Sequence, residues 1–165
     1  MWAKNEVYDC KGNLLSLSRP SVNFRIYWNG DLYDDLLDGT KITTFSGATA
    51  TQQSNLKDLS TIDKSASCNS TKATPNLQAD ILGDWREEVI LWSKTDSASV
   101  NIFTSTITTE YRIPTLMHDH VYRMGIVWQN TAYNQPPHLG YYLPDVYSRD
   151  AILRFEPQSG SATQK

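Results

Sequence analysis

Two stretches of this 165-residue chain carry one signature, 53 residues apart. The first reads Ile26-Tyr27-Trp28-Asn29-Gly30-Asp31-Leu32-Tyr33-Asp34-Asp35-Leu36-Leu37. The second reads Ala79-Asp80-Ile81-Leu82-Gly83-Asp84-Trp85-Arg86-Glu87-Glu88-Val89-Ile90. Gly30 matches Gly83, Asp31 matches Asp84, and in both an acidic pair runs into apolar residues. Units repeated at a fixed period cannot each bury a hydrophobic face alone, and about 50 residues is the length of one kelch-type blade. The chain therefore reads as all-β, a stack of similar β units in a solenoid or a partial β-propeller, with acidic turns between its strands. Residues 1–155 allow about three blades, fewer than the four to eight of a closed propeller, so closure is expected to need further blades or other chains. Residues 156–165 read as a disordered tail.

Local patterns support short strands. Tyr8 to Leu15 has the form of a hairpin turning at Lys11-Gly12-Asn13. Ser21 to Trp28 alternates polar and apolar residues, the pattern of a half-buried strand. Asn29-Gly30-Asp31 and Asp38-Gly39 are turn sequences, and Lys41 to Phe45 reads as a third strand. Leu32 to Leu37 reads as a strand or a single helical turn. Residues 46–76 are rich in Ser, Thr, Gln and Lys and read as a long surface connection. Val89–Trp92 and Val100–Thr106 are expected strands, and Ser105 to Tyr111 is Thr-rich and β-prone. Beyond it, little helix is expected except a turn near Val121-Tyr122-Arg123-Met124.

A net charge of −3, from 15 basic and 18 acidic residues, argues against a nucleic-acid partner, which needs a basic face. No apolar run is long enough for a transmembrane helix, and no apolar signal region follows Met1. Five Trp and nine Tyr suit either a β core or stacking platforms for sugar rings. Cys10 and Cys68 have no metal spacing; they either pair in an oxidising compartment or are both free thiols. Asn69-Ser70-Thr71 fits the common glycosylation pattern.

Four constellations are candidates for chemistry. Asp80, Asp84 and Glu87 offer hard oxygens at short spacing on a glycine turn, as calcium requires. Leu82 and Trp85 depart from the strongest calcium-loop pattern; Asp31, Asp34 and Asp35 form a weaker copy, and turn capping or pairing with Arg86 is the alternative role for these carboxylates. His118 and His120, at i and i+2, would share a strand face, without a third nitrogen or sulfur ligand at a defined spacing. Trp128 to His138 gathers amides and a tyrosine beside Pro136-Pro137, and amides that donate and accept match sugar hydroxyls. Asp38-Gly39-Thr40-Lys41 sets a lysine at a strand end, where it can neutralise a carboxylate.

Ala79 to Val89, Thr109 to Asp119, and Tyr122-Arg123 through Trp128-Gln129-Asn130 to His138, taken in this order and spacing, resemble the C-terminal end of the rhamnogalacturonan endolyases of polysaccharide lyase family 11. Ser21 to Lys41 resembles that family too, so the resemblance covers roughly residues 5–145. It implies the last blades of a calcium-containing eight-bladed β-propeller with its cleft over the top. It implies a pectic polysaccharide substrate, rhamnogalacturonan I, cleaved by β-elimination at galacturonate, and a secreted or periplasmic location. It places Gly39, Thr40, Tyr133 and Asn134 against substrate, with Lys41 neutralising the carboxylate or moving the proton. The chain alone is expected to be inactive without the family's N-terminal blades. The competing expectation is a non-catalytic carbohydrate-binding or calcium-stabilised β module.

Overall fold

The repeat is written into the backbone as well as the sequence. The structure, a computed structural model, describes residues 6–17, 19–20, 23–44, 57–58, 64–131 and 134–148. Strands β1 (Val7–Tyr8) and β2 (Leu14–Ser16) form a hairpin whose turn places Gly12 at φ 85°, as the Lys11-Gly12-Asn13 sequence predicts. Strands β3 (Phe24–Ile26), β4 (Asp35–Asp38), β5 (Lys41–Thr43) and β6 (Lys57–Asp58) make a four-stranded antiparallel sheet in that order. A second antiparallel sheet is centred on β9 (Glu88–Ser93), which pairs with β7 (Ser65–Ala66), β8 (Leu77–Ala79) and β10 (Val100–Phe103).

The registers of the two sheets match residue for residue. Phe24, Arg25 and Ile26 face Leu37, Leu36 and Asp35; Leu77, Gln78 and Ala79 face Ile90, Val89 and Glu88. Each of the second set is 53 residues beyond its counterpart. The third strands correspond too: Thr43 faces Leu36 as Phe103 faces Val89, and Ile42 faces Leu37 as Ile102 faces Ile90. Here the offset is 60 (103 against 43), so the second hairpin carries seven extra residues between its last two strands.

The same hydrogen bonds close both inner loops. Asn29 N–H donates to Asp35 Oδ2 at 2.8 Å, and its counterpart Leu82 N–H donates to Glu88 Oε2 at 3.0 Å. Tyr33 N–H donates to Asp31 Oδ1 at 3.0 Å, and Arg86 N–H to Asp84 Oδ1 at 3.1 Å. Thr44 donates to Asp35 Oδ1 at 2.6 Å as Thr104 does to Glu88 Oε1 at 3.0 Å. Asp31 and Asp35, and their counterparts Asp84 and Glu88, are therefore loop staples. Gly30 and Gly83 take φ 78° and 76°, and two residues on, Leu32 and Trp85 take φ 71° and 68°. A left-handed conformation costs a non-glycine residue about 1–2 kcal/mol. Burial of the Leu32 and Trp85 side chains, each 2% exposed, offsets it, since fully burying a large apolar side chain contributes about 1.5–3 kcal/mol.

Two clusters form the interior. Phe24, Ile26, Leu37 and Ile42 of the first sheet, with Trp28 from the loop after β3, meet Val89, Leu91 and Phe103 of the second. The second cluster gathers Tyr27, Leu32 and Trp85 from the loops with Leu116, Tyr122 and Leu143 from the helical segments. Those segments are a 3₁₀ turn (Leu116–His118), helix α1 (His120–Trp128) and helix α2 (Leu143–Tyr147).

Two expectations need correction. The Val121–Met124 turn is a nine-residue helix, capped where the Asp119 carboxylate accepts Val121 N–H at 3.0 Å. Tyr122 and Ile126, four apart, face inward, and Gly125 lies where a Cβ would come within 2.9 Å of Pro137, so its glycine serves close packing and does not end the helix. Ser105 to Tyr111 forms no strand despite its threonines. Their hydroxyls and backbone are committed locally and to the Gly30 loop: Thr109 donates to Gly30 O at 2.6 Å and accepts Tyr111 N–H at 3.1 Å. The expected tail lies outside the described residues. No helix among the described residues is long and apolar enough to cross a membrane.

Candidate functional site

The outer turn of the first hairpin sets Asp38 opposite Lys41 in register and gives Gly39 φ 62°, a conformation that suits glycine. Lys41 is exposed, with Gly39 and Thr40 half-buried beside it. A Cβ on Gly39 would reach Ser67 Oγ at 3.6 Å and Ala73 Cβ at 3.7 Å. The segment beginning at those residues continues to Pro75, whose carbonyl accepts the Asn134 side-chain amide at 3.3 Å. Asn134 is buried, and its Oδ1 has no hydrogen-bond partner among the described residues. One segment thus borders Gly39 at its start and holds Asn134 at its end. Tyr133 lies outside the described residues.

The three proposed calcium ligands are not gathered. Asp80 Oδ2 accepts Thr115 O–H at 2.6 Å and Leu116 N–H at 2.7 Å, fixing the start of the 3₁₀ turn. Asp84 pairs with Arg86. Both oxygens of Glu87 are occupied by protein donors. Among the described residues no three His, Cys, Asp or Glu side chains converge to hold a metal ion. The three carboxylates therefore do not fit a shared calcium site; only Asp80 Oδ1 is buried without a partner. A chelator tests the calcium expectation: a fall in the melting temperature would keep a metal on the chain, because a ligand held only by the folded state stabilises it, and no shift would remove the assignment. Cys10 and Cys68 are free thiols. His118 Nδ1 lies 2.6 Å from Thr115 O in the turn before α1, while His120 opens α1, so they share no strand face.

The site that sequence reasoning missed is built on Glu87. Its Oε2 receives Tyr27 N–H at 2.9 Å, Gln78 Nε2 at 2.9 Å and Arg25 Nη1 at 3.1 Å; its Oε1 receives Tyr122 O–H at 2.8 Å. The Tyr122 oxygen in turn accepts Asp80 N–H at 2.9 Å. Arg25 also bonds the Pro137 carbonyl and lies 4.5 Å from the Tyr27 ring centre. Burial pushes Glu87 upward against the pull of Arg25 and the other donors. Burial works against the Arg25 charge as well, but Glu87 and Asp34 outweigh it. The repeat held the signal for this: Arg25 and Gln78 are counterparts in register, and both reach Glu87.

Asp35 gives the hairpin a pH response. Burial raises it to about 6, although Thr44 and Asn29 donate to it. In the unfolded chain it returns to about 3.9. The folded state then holds more protons between those values, so this contribution is full below about pH 4 and lost as pH rises through about 6. Denaturant midpoints should fall across that window, and the Asp35 carboxyl should titrate near its upper end by carbon NMR. A midpoint at the ordinary aspartate value would contradict this.

The family described as rhamnogalacturonan lyase family 11, C-terminal domain, matches residues 1–151. The chain is 49% identical over 146 residues to rhamnogalacturonan endolyase YesW of Bacillus subtilis (strain 168), covering 88% of this chain and 23% of that protein. It is 47% identical over 143 residues to rhamnogalacturonan exolyase YesX of the same organism, covering 83% and 23%. The solved Bacillus licheniformis rhamnogalacturonan lyase PL11 superposes with a TM-score of 0.73 at 49% identity, over 86% of this chain and 24% of that one. The chain thus spans under a quarter of the length of the curated relatives it matches.

Proposed function

Because the chain belongs to rhamnogalacturonan lyase family 11, whose C-terminal domain it matches over residues 1–151, we propose that it contributes the Gly39-Thr40-Lys41 turn to the cleft of a lyase that cleaves pectin's rhamnogalacturonan backbone. The four-stranded β3–β6 sheet and the sheet around β9 are, on this reading, successive propeller blades. Their identical registers support that arrangement. The observation that carries the functional reading is the exposed Lys41 on a left-handed glycine turn beside the segment that holds Asn134.

The chemistry sets what the turn must do. In β-elimination a base takes the proton from C5 of the galacturonate, the electrons form the C4–C5 double bond, and the C4–O bond to the next sugar breaks. That proton is weakly acidic while the neighbouring carboxylate keeps its charge. A lysine ammonium against the carboxylate lowers the cost of the negative charge that develops there. On this reading Gly39 leaves the turn without a side chain beside the sugar, and Asn134 is the amide that would meet a sugar hydroxyl from the facing segment.

The non-catalytic reading has one observation in its favour. A pocket of about 310 Å³ is walled by Tyr27, Tyr141 and Tyr142 with Arg25, Asp34 and His138 at its polar edge. Absorbance of the unsaturated uronate product separates the two readings. With rhamnogalacturonan I, this chain joined to the N-terminal portion of a family 11 relative should produce a rise. A folded joined protein that binds the polysaccharide without a rise would favour the binding module and overturn the lyase reading.

A further inference from the structure

A second cleft, of about 440 Å³, lies at the inner loop of the second hairpin, where Asp84, Trp85 and Arg86 meet Thr109, Tyr111 and Arg112. Hairpin topology puts it at the opposite end from the Gly39–Lys41 type of turn: the inner loops join β3 to β4 and β8 to β9, and the Gly39 turn joins β4 to β5.

Two donors on its lining residues lack a partner among the described residues, while Asp84, the other nitrogens of Arg86 and the Thr109 hydroxyl are already hydrogen-bonded. Trp85 Nε1 and Arg86 Nε are buried, and neither has a hydrogen-bond partner among the described residues. Both groups can only donate. Arg86 spends its other nitrogens on Asp84 and on the Ile107 carbonyl, so Nε is the uncommitted edge of its guanidinium. Leaving a buried donor unpaired is destabilising, more so for a charged group, so such atoms in a native fold call for an explanation. Charge points the same way. Arg112 is exposed and forms no salt bridge with a described residue, so Asp84, Arg86 and Arg112 together leave one positive charge over.

The repeat supplies an internal control. At the counterpart positions the first hairpin has Leu32 and Tyr33, with the same left-handed backbone at Leu32 and the same Asp31 staple. The loop therefore folds without an indole or a guanidinium. The strained backbone belongs to the repeat, and the two donors are what distinguish the second copy. An acceptor that is planar, anionic and attached to a ring body fits: a carboxylate for the two N–H groups and Arg112, and a sugar face for Tyr111.

We propose that this cleft is a second uronate-binding site, separate from the Lys41 turn. The carboxylate chemistry follows from the donors; the uronate body rests on the lyase reading. The test follows the Trp85 indole N–H by proton–nitrogen NMR in the full chain, the signal being identified by its proximity to the Tyr27 ring, 6.3 Å between centres. Galacturonate should shift that resonance saturably, while its methyl ester and acetate at equal concentration should leave it in place. Arg112→Ala, or Arg112→Gln if alanine fails to fold, should weaken the response about tenfold, as loss of one charge-assisted hydrogen bond does. Lys41→Ala should leave it intact. An unmoved indole in the folded protein, an equal response to the ester or acetate, or an Arg112 variant that binds like the parent would each overturn the proposal. Failure of the lyase reading shows elsewhere, as absent unsaturated product, whatever the indole does.

Discussion

Replacing Glu87 with alanine should remove on the order of 3–5 kcal/mol of stability, the cost of breaking a buried ion pair from one side. The side chain is fully buried, and the change leaves Arg25, whose side chain is only 10% exposed, to the half-exposed Asp34 and the Pro137 carbonyl, and removes the acceptor of the Tyr27 amide, the Gln78 amide and the Tyr122 hydroxyl. Domains of this size have about 5–15 kcal/mol in total, so the variant should unfold at far lower denaturant or not fold at all at ambient temperature. Glu87→Gln keeps the shape and loses the charge, and should fall between. Tyr122→Phe removes one donor to Glu87 and one acceptor for Asp80 N–H, and should cost about 1–3 kcal/mol. Urea unfolding followed by tryptophan fluorescence measures all three. A Glu87→Ala midpoint indistinguishable from the parent would mean that water replaces the carboxylate at no cost, and that the hub does not hold the fold.

Lys41→Ala should leave that midpoint unchanged and abolish turnover. Lys41 is an exposed side chain at a strand end, so its truncation opens no cavity. In the joined protein that cleaves, the rate should fall about 10²–10⁴-fold, the contribution typical of one positioned proton-transfer group. Lys41→Arg should recover part of the rate if the role is neutralising the carboxylate, since arginine keeps the charge. It should recover almost none if the lysine itself moves the C5 proton, because arginine stays protonated. A Lys41→Ala protein that cleaves like its parent would remove Lys41 from the reaction.

What the sequence made legible was the repeat and everything that follows from a period. Gly30 and Gly83 marked two loops that share one backbone path, and the alternation of Phe24 and Ile26 with Arg25 marked the buried face of a strand. The purpose of the acidic residues was harder to read. Asp80, Asp84 and Glu87 have the spacing of metal ligands, but their partners are Thr115, Arg86 and Arg25, and two of those are distant in sequence. Spacing along a chain does not reveal a cation arriving from another strand. Helix α1 was obscured for a similar reason. Its β-branched Val121, Ile126 and Val127 and its Gly125 lower helix propensity. The burial of Tyr122 and the close approach of Pro137 override that preference through tertiary contacts. The Gly39-Thr40-Lys41 turn was legible as a turn, while its neighbours Ser67 and Ala73 were hidden in a segment whose composition suggested only a surface connection.

The first interior cluster takes five side chains from the first repeat and three from the second, so neither hairpin owns a core. A chain cut between Thr44 and Lys64 would yield two halves that each expose a half-built interior. Each piece alone should be a poor folder, and mixing them should restore the native contacts, because the joint between the pieces is the core itself. The two copies share a pattern, but they are complementary parts, as the halves of a clasp are, and neither is a spare for the other.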